Sequence, residues 1–423
     1  SPMLAQTSMS AETVFAKSRV LDRRMMSSTK RRNQGTVKIT KITPVIVNAN
    51  MRNWIFVKVE TDQPGLYGWG EATLEWKTQT VVGAVEDIGR LLIGEDPRRI
   101  EHLYQIMYRQ YFWKVGIEGM SAISGIEQAL WDIKGKDLGV PVYELLGGRV
   151  RDRVRVYNHL GGGLMTDMYE TTEADRFAEL ALKVKDAGYT AIKFMAVPRT
   201  EPVEGVQSVR YAARLVEAVR DAVGPEMDLM VDLHARTWPA MAIQYCQAFE
   251  PYGLLFFEEP CPTEDIEATA QVTRASRIPI ATGERLVGRH QFRELFEKRA
   301  CHVIQPDLTH CGGLWEARKI AAAAETYSIA VAPHNPNGPI ATAVSVHFAL
   351  ATPNWLIQEA ISSDVPWRND VLVNPVQVVD GFISVPTGAG LGIDVNEAEA
   401  AKHPFKPEAM QRYFHPDGAV ADW

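Results

Sequence analysis

Residues able to bind a metal or move a proton recur at the ends of apolar, strand-like runs: Lys193, Asp232, Glu258, Glu284, Asp307, His334 and Glu359. From Asp232 onward they stand 23 to 27 residues apart, which leaves room for one strand, one helix and two short loops per step. A repeated strand–helix unit of that length implies parallel strands closed into a barrel. Such barrels gather side chains from the C-terminal ends of successive strands at one mouth, so residues far apart in sequence converge there. The pattern predicts an α/β fold with a (β/α)8-type barrel, and the chain reads as an enzyme.

The strand candidates are 154–158, 191–194, 229–232, 254–257, 279–282, 303–306, 330–333 and 355–358, with helical patterns over 172–187, 206–223, 240–249 and 314–327. Ahead of them, 37–72 alternates and is rich in β-branched residues, with turn chemistry at Asp62-Gln63-Pro64-Gly65, as in an antiparallel hairpin. Helical periodicity follows over 80–111, and Ser121–Lys134 carries small residues that allow close helix packing. Leu145-Leu146-Gly147-Gly148 is a helix stop. The expected organisation is an N-terminal α+β capping domain over 36–150, a barrel over 151–385 and a tail over 386–423 that packs back on the cap. Residues 1–35 are basic and rich in Ser and Met without the hydrophobic stretch of a signal peptide, and read as a disordered leader or tag.

With 423 residues, 46% of them apolar, the chain can bury a large core and exceeds one ordinary domain. A net charge of −7 argues against nucleic acid as a partner, since phosphate binding draws on concentrated Lys and Arg. No run of about 18 apolar residues is present to span a membrane. The four cysteines form no CxxC pair and are too few for a secreted disulfide framework, so a cytoplasmic location is expected.

Asp232, Glu258 and Glu284 end three consecutive strands. Three carboxylates brought together offer the oxygen ligands that a hard cation such as Mg²⁺ takes, and they leave positions for water and substrate. Each alone could equally cap a helix or sit in an ion pair; the near-equal spacing of the three favours the metal.

The strings Val231-Asp232-Leu233-His234, Phe257-Glu258-Glu259-Pro260, Thr282-Gly283-Glu284-Arg285, Gln305-Pro306-Asp307 with Cys311-Gly312-Gly313, and Ala332-Pro333-His334 together resemble the enolase superfamily, mandelate racemase subgroup. The resemblance runs from about Val37 to Trp423. It implies that the three carboxylates hold Mg²⁺, that an α+β domain caps the barrel mouth, and that the protein is a homo-oligomer.

A base acting on a carbon acid must reach its proton. His334 is the candidate, with Asp307 on the neighbouring strand to fix its tautomer, and the pair resembles the His–Asp dyad of the subgroup. His234, two residues past Asp232, is expected by strand alternation to share its face. At this D-x-H position a histidine resembles the general acid of the aldonate dehydratases, though a direct metal ligand or a core residue remains open. Lys193 stands where the racemases carry K-x-K; the second position here is Met195, which cannot accept a proton and so argues against racemisation. Glu359 matches the last-strand acid that hydrogen-bonds the reacting oxygen, which requires a protonated carboxyl of unusual pKa.

Met120-Ser121-Ala122-Ile123, Gln128–Lys136, Gln305-Pro306-Asp307-Leu308, Gly338-Pro339-Ile340-Ala341 and the final Ala421-Asp422-Trp423 are most similar to the D-galactonate type of dehydratase. The segment Phe194-Met195-Ala196-Val197-Pro198 departs from it. The expected substrate is a small acid sugar, with D-mannonate or D-gluconate dehydration, epimerisation, or sugar-acid binding without catalysis as alternatives. Specificity is expected from the cap, around Asn50–Trp54 and Leu74–Lys77.

Overall fold

Three antiparallel strands open the described chain: β1 (Ile39–Ala49), β2 (Arg52–Thr61) and β3 (Tyr67–Glu71). The expected hairpin is therefore a three-stranded meander. Its first turn is a tight two-residue link in which Asn50 takes φ 61°, a conformation Asn tolerates better than most residues, and the Asn50 N–H donates to Asn48 Oδ1 at 3.2 Å. The computed structural model describes residues 36–198, 200–409 and 412–423, so the leader expected over 1–35 lies outside the described residues.

The helix Ile117–Leu138 packs on this sheet through its small residues. A methyl group on Gly70 would stand 1.9 Å from the Gly125 carbonyl oxygen, and one on Gly68 would stand 2.1 Å from that of Ala129. Glycine at these two strand positions is what lets helix and sheet meet backbone to backbone.

Eight parallel strands follow: β4 (Arg153–His159), β5 (Ala191–Phe194), β6 (Asp228–Asp232), β7 (Leu254–Glu258), β8 (Ile280–Thr282), β9 (Val303–Ile304), β10 (Ala330–Val331) and β11 (Gln358–Glu359). β11 pairs with β4, and Val331 of β10 bridges Trp355 just ahead of β11, so the sheet closes. Helices lie between consecutive strands. Three of them, Ile266–Ala275, Gly288–Glu297 and Pro339–Ala351, fall outside the helical patterns expected from periodicity. In the last every residue is buried, so no polar face exists to give a 3.6-residue rhythm. After β11 no barrel helix follows among the described residues: the chain instead turns into β12 (Val378–Val379) and β13 (Phe382–Ser384), and β13 pairs antiparallel with the start of β4. Among the described residues the barrel thus has eight strands joined by seven helical connections, one fewer than a full (β/α)8 unit.

The barrel axis is plugged by one side chain from each strand position: Tyr157, Ala191, Met230, Phe256, Ala281, Val303, Ala332 and Ile357. Two buried carboxylates from the N-terminal segment tie it to the barrel at helix N-termini. Glu127 accepts from the backbone N–H of Leu314 and Trp315, at 2.8 and 3.0 Å. Glu71 accepts from Gly338 and Ala341, at 2.6 and 2.8 Å. Each meets unsatisfied N–H donors and the positive end of a helix dipole. Residues beyond β13 run back over the first sheet: Asp394 accepts from Tyr67 Oη and Trp69 Nε1, and Asn53 Nδ2 donates to the Lys406 carbonyl. From Lys38 to Trp423 the chain is a single unit, and no helix among the described residues is long and apolar enough to cross a membrane.

Candidate active site

The apolar plug dictates what sits above it. Side chains two apart on a strand share a face, so each plug residue has a partner one layer nearer the mouth. Tyr157 leads to His159, Ala191 to Lys193, Met230 to Asp232, Phe256 to Glu258, Val303 to Gln305, Ala332 to His334 and Ile357 to Glu359. On β8 the rule slips by one. Gly283, at φ 132°, breaks the alternation, and the carboxylate is supplied by Glu284.

Asp232, Glu258 and Glu284 each place a carboxylate oxygen within 4.8 Å of the other two. Glu258 is fully buried and Asp232 is 3% exposed. Glu258 Oε2 and Glu284 Oε2 are buried with no hydrogen-bond partner among the described residues. Burial and the neighbouring Asp232 charge push the Glu258 carboxyl well above the usual carboxylate range, and burial pushes Glu284 up to about 7. Burial alone would raise Asp232 too, but His234 and Lys193 hold it below its ordinary value. Orphaned oxygens, short separations and like charge are what a divalent cation resolves, so the residues present fit Mg²⁺.

Lys193 is 1% exposed and lies 2.8 Å from Glu258, 3.1 Å from Glu359 and 3.6 Å from Asp232. Burial opposes its charge, yet these carboxylates raise its pKa well above that of an ordinary lysine. It is a fixed cation whose charge is already shared among three carboxylates. Met195 falls outside the mouth cavity and lines a neighbouring one of about 290 Å³.

The His334 ring is oriented by Asp307: Nδ1 lies 2.8 Å from Asp307 Oδ2. Asp307 is itself clamped, accepting from Thr309 N–H at 2.6 Å and from Asn337 Nδ2 at 2.8 Å. Burial works against its charge, but His310 and His334 hold its carboxyl down to about 2. His334 Nε2 lies 3.6 Å from Glu284 Oε2. Burial opposes protonation of this imidazole, and the surrounding Glu284, Glu359 and Asp307 charges outweigh it, raising its pKa well above the histidine value.

Two expectations change. His234 is not carried to the mouth by strand alternation, because β6 ends at Asp232 and His234 adopts φ 48° beyond it. Its ring still reaches the site, with Nε2 3.3 Å from Asp232 Oδ2. Glu359 is not a protonated donor. One oxygen meets Lys193 and His159 Nε2, the other accepts from the Asn335 N–H at 2.7 Å. Burial would raise its pKa, but Lys193, His334 and His159 together depress it well below the usual range.

A cavity of about 350 Å³ opens above this layer. His159, Lys193, Asp232, His234, Glu284, His334 and Glu359 line its floor; Met51, Arg52, Glu75 and Trp76 come from the two N-terminal segments expected to set specificity, and Trp423 closes one side. His159 lies one residue past the strand expected over 154–158, and the two-residue rule from Tyr157 points to it. Glu258 and Asp307, part of the same polar layer, are not among the cavity-lining residues.

The barrel order puts β6 and β10 four strands apart among eight. His234 and His334 therefore stand on opposite sides of the mouth, with the carboxylate cluster running from the end of β6 to just past β8.

Comparison with known proteins agrees with this architecture. Residues 34–147 match the family of the mandelate racemase / muconate lactonizing enzyme N-terminal domain, and residues 176–399 match the enolase C-terminal domain-like family. A D-galactonate dehydratase of Variovorax paradoxus is 38% identical over 392 residues, covering 90% of this chain and 100% of the relative. One of Ralstonia nicotianae is 38% identical over 92% of this chain and 100% of its own length. Among solved structures, a member of the enolase superfamily from Salmonella Typhimurium superposes with TM-score 0.82 at 32% identity, over 87% of this chain and 98% of that one. A mandelate racemase/muconate lactonizing enzyme-like protein from Roseovarius sp. TM1035 gives 0.81 at 36%, over 88% and 96%. With both family matches and relatives of this identity aligned over nearly their whole length, the chain belongs to the mandelate racemase subgroup of the enolase superfamily.

Proposed function

We propose that the mouth dehydrates a sugar acid of the D-galactonate type to a 2-keto-3-deoxy acid in a Mg²⁺-dependent reaction. The observation that carries this reading is the pair of histidines facing each other across the barrel mouth, one tied to a carboxylate and one beside the metal-type cluster. The names of the aligned relatives support the substrate class.

Asp232, Glu258 and Glu284 would hold the cation, which when bound supplies positive charge to a substrate carboxylate and offsets the carboxylate field around His334. Asp307 on Nδ1 leaves Nε2 of His334 as the nitrogen directed to substrate, as a base needs. His334 takes the C2 proton as the C2–H bond breaks. The C3–O bond then breaks, and its oxygen leaves as water with a proton from His234. The C2–C3 enol so formed tautomerises to the keto acid. Lys193 and His159 keep Glu359 ionised and in place, and the Lys193 ammonium adds to the positive field under the substrate carboxylate.

A panel of acid sugars incubated with Mg²⁺ and scored for 2-keto-3-deoxy acids by semicarbazide tests this. Turnover of one or a few aldonates, lost by a factor on the order of 10³ or more in His334→Asn, is the expected result. An inverted, unreacted sugar acid in place of keto acid would instead establish an epimerase.

A further inference from the structure

The two histidines of the mouth are held in different ways, and the difference assigns a role to Trp423. His334 is oriented by a hydrogen bond to Asp307. His234 has its backbone fixed, its N–H donating to Asp232 Oδ1 at 2.9 Å and its carbonyl accepting from Arg285 Nη2 at 2.9 Å. Its ring is far less constrained by polar groups. Among the described residues, Nε2 meets only Asp232 Oδ2 at 3.3 Å, and Nδ1 is buried without a hydrogen-bond partner. That one contact goes to a carboxylate of the metal-type cluster, so it is shared rather than dedicated.

The faces of the ring are covered by aromatics. Trp423 stacks on it with centroids 5.1 Å apart and planes at 20°, and Tyr169 lies 5.8 Å away at 46°. Trp423 is in turn braced by Trp76 at 4.8 Å, Tyr169 at 5.4 Å and Tyr413 at 5.8 Å. A short turn delivers it: the Gly418 N–H donates to the His415 carbonyl, His415 N–H to Ala419, and Ala421 N–H to Tyr413. Offset stacking of this kind fixes the plane of a ring while leaving both nitrogens free at its edge.

We infer that Trp423 is a positioning residue for His234: it sets the plane in which the imidazole presents its proton to the leaving hydroxyl, doing for the acid what Asp307 does for the base. The inference rests on the dehydratase reading above. A residue that only walled the cavity would act on substrate binding alone. A residue that orients the acid acts on C–O cleavage and leaves C2–H cleavage, the task of His334, intact.

Two measurements separate these. In metal-free protein, the His234 imidazole resonance, assigned by its loss in His234→Asn, is expected upfield because of the indole ring current, and at an ordinary position in Trp423→Ala. A resonance that is unshifted, or the same in both proteins, overturns the inference. With Mg²⁺ and an aldonate substrate in D₂O, Trp423→Ala is expected to lose elimination on the order of 10–100-fold in kcat while deuterium still enters C2 of recovered substrate. Trp423→Phe, which keeps a ring for the stack, is expected to restore most of the rate. Loss confined to KM, or exchange and elimination falling together, overturns it. A wild type that dehydrates no aldonate removes the dehydratase reading and the acid role with it, while the resonance still reports whether Trp423 orders the ring.

Discussion

Asp307 carries no catalytic chemistry of its own, yet the site leans on it. It fixes the tautomer of His334 and is fixed in turn by Thr309 and Asn337. Replacing it with Asn keeps the shape but offers an amide N–H to Nδ1, which would turn the wrong nitrogen toward substrate. Asp307→Asn is therefore expected to lower kcat on the order of 10²–10⁴-fold with KM little changed; a variant with unaltered kcat would show that the tautomer is set elsewhere. The residues that could be read from the sequence were those whose identity is chemically costly at a strand end, namely the three carboxylates, Lys193, His334 and Glu359. What could not be read was their state. Ionised Glu359 depends on Lys193, His159 and the Asn335 N–H arriving from three separate strand ends, and His234 depends on a left-handed backbone that no alternation rule anticipates.

At the scale of elements, the strands were legible because apolar runs ending in a charged residue recur at nearly constant spacing. Helices with a polar face were legible too, and the all-buried Pro339–Ala351 was not. Close packing of Ile117–Leu138 on the first sheet followed from its small residues, but the reciprocal need for Gly68 and Gly70 appears only once the elements meet. Gly70→Ala forces a methyl group into the Gly125 carbonyl, and we expect a loss of about 1–3 kcal/mol, seen as a lower melting temperature with the same fold. His347, inside Pro339–Ala351, accepts from the Tyr143 N–H at Nδ1 and donates from Nε2 to the Leu391 carbonyl, so it must stay neutral. Burial lowers its pKa to about 4. Between that value and the unfolded value near 6.5 the unfolded chain binds the extra proton. The stability His347 confers is thus full above about pH 6.5 and is lost as pH falls towards 4, by about 3 kcal/mol in all. In His347→Gln the fall of melting temperature over that range should be shallower than in wild type; parallel curves would refute the assignment.

The molecule as a whole brings three carboxylates together in a buried layer where their charges, if all present, would repel. Glu258 is buried among Asp232, Glu284 and Glu359, and Lys193 offsets only part of that charge. The barrel accepts this because burial elsewhere is extensive and because carboxylates from the first sheet and its helix clamp the N-termini of two barrel helices. Functional sites are where a chain departs from its own stability optimum. Removing an acid from the cluster, as in Glu258→Gln, takes away a buried carboxyl that burial and Asp232 already disfavour as an anion, and is accordingly expected to raise the melting temperature of the metal-free protein. Mg²⁺ should stabilise only the wild type, by about 2.7 kcal/mol at a hundred times its dissociation constant.

Calorimetric titration of Mg²⁺ into metal-free protein tests the central claim, that the three strand-end carboxylates form one divalent-cation site. The wild type should bind a single ion, and Asp232→Asn, Glu258→Gln and Glu284→Gln should each lose that binding while remaining folded. Binding that survives in all three variants, or its absence from the wild type, would contradict the account.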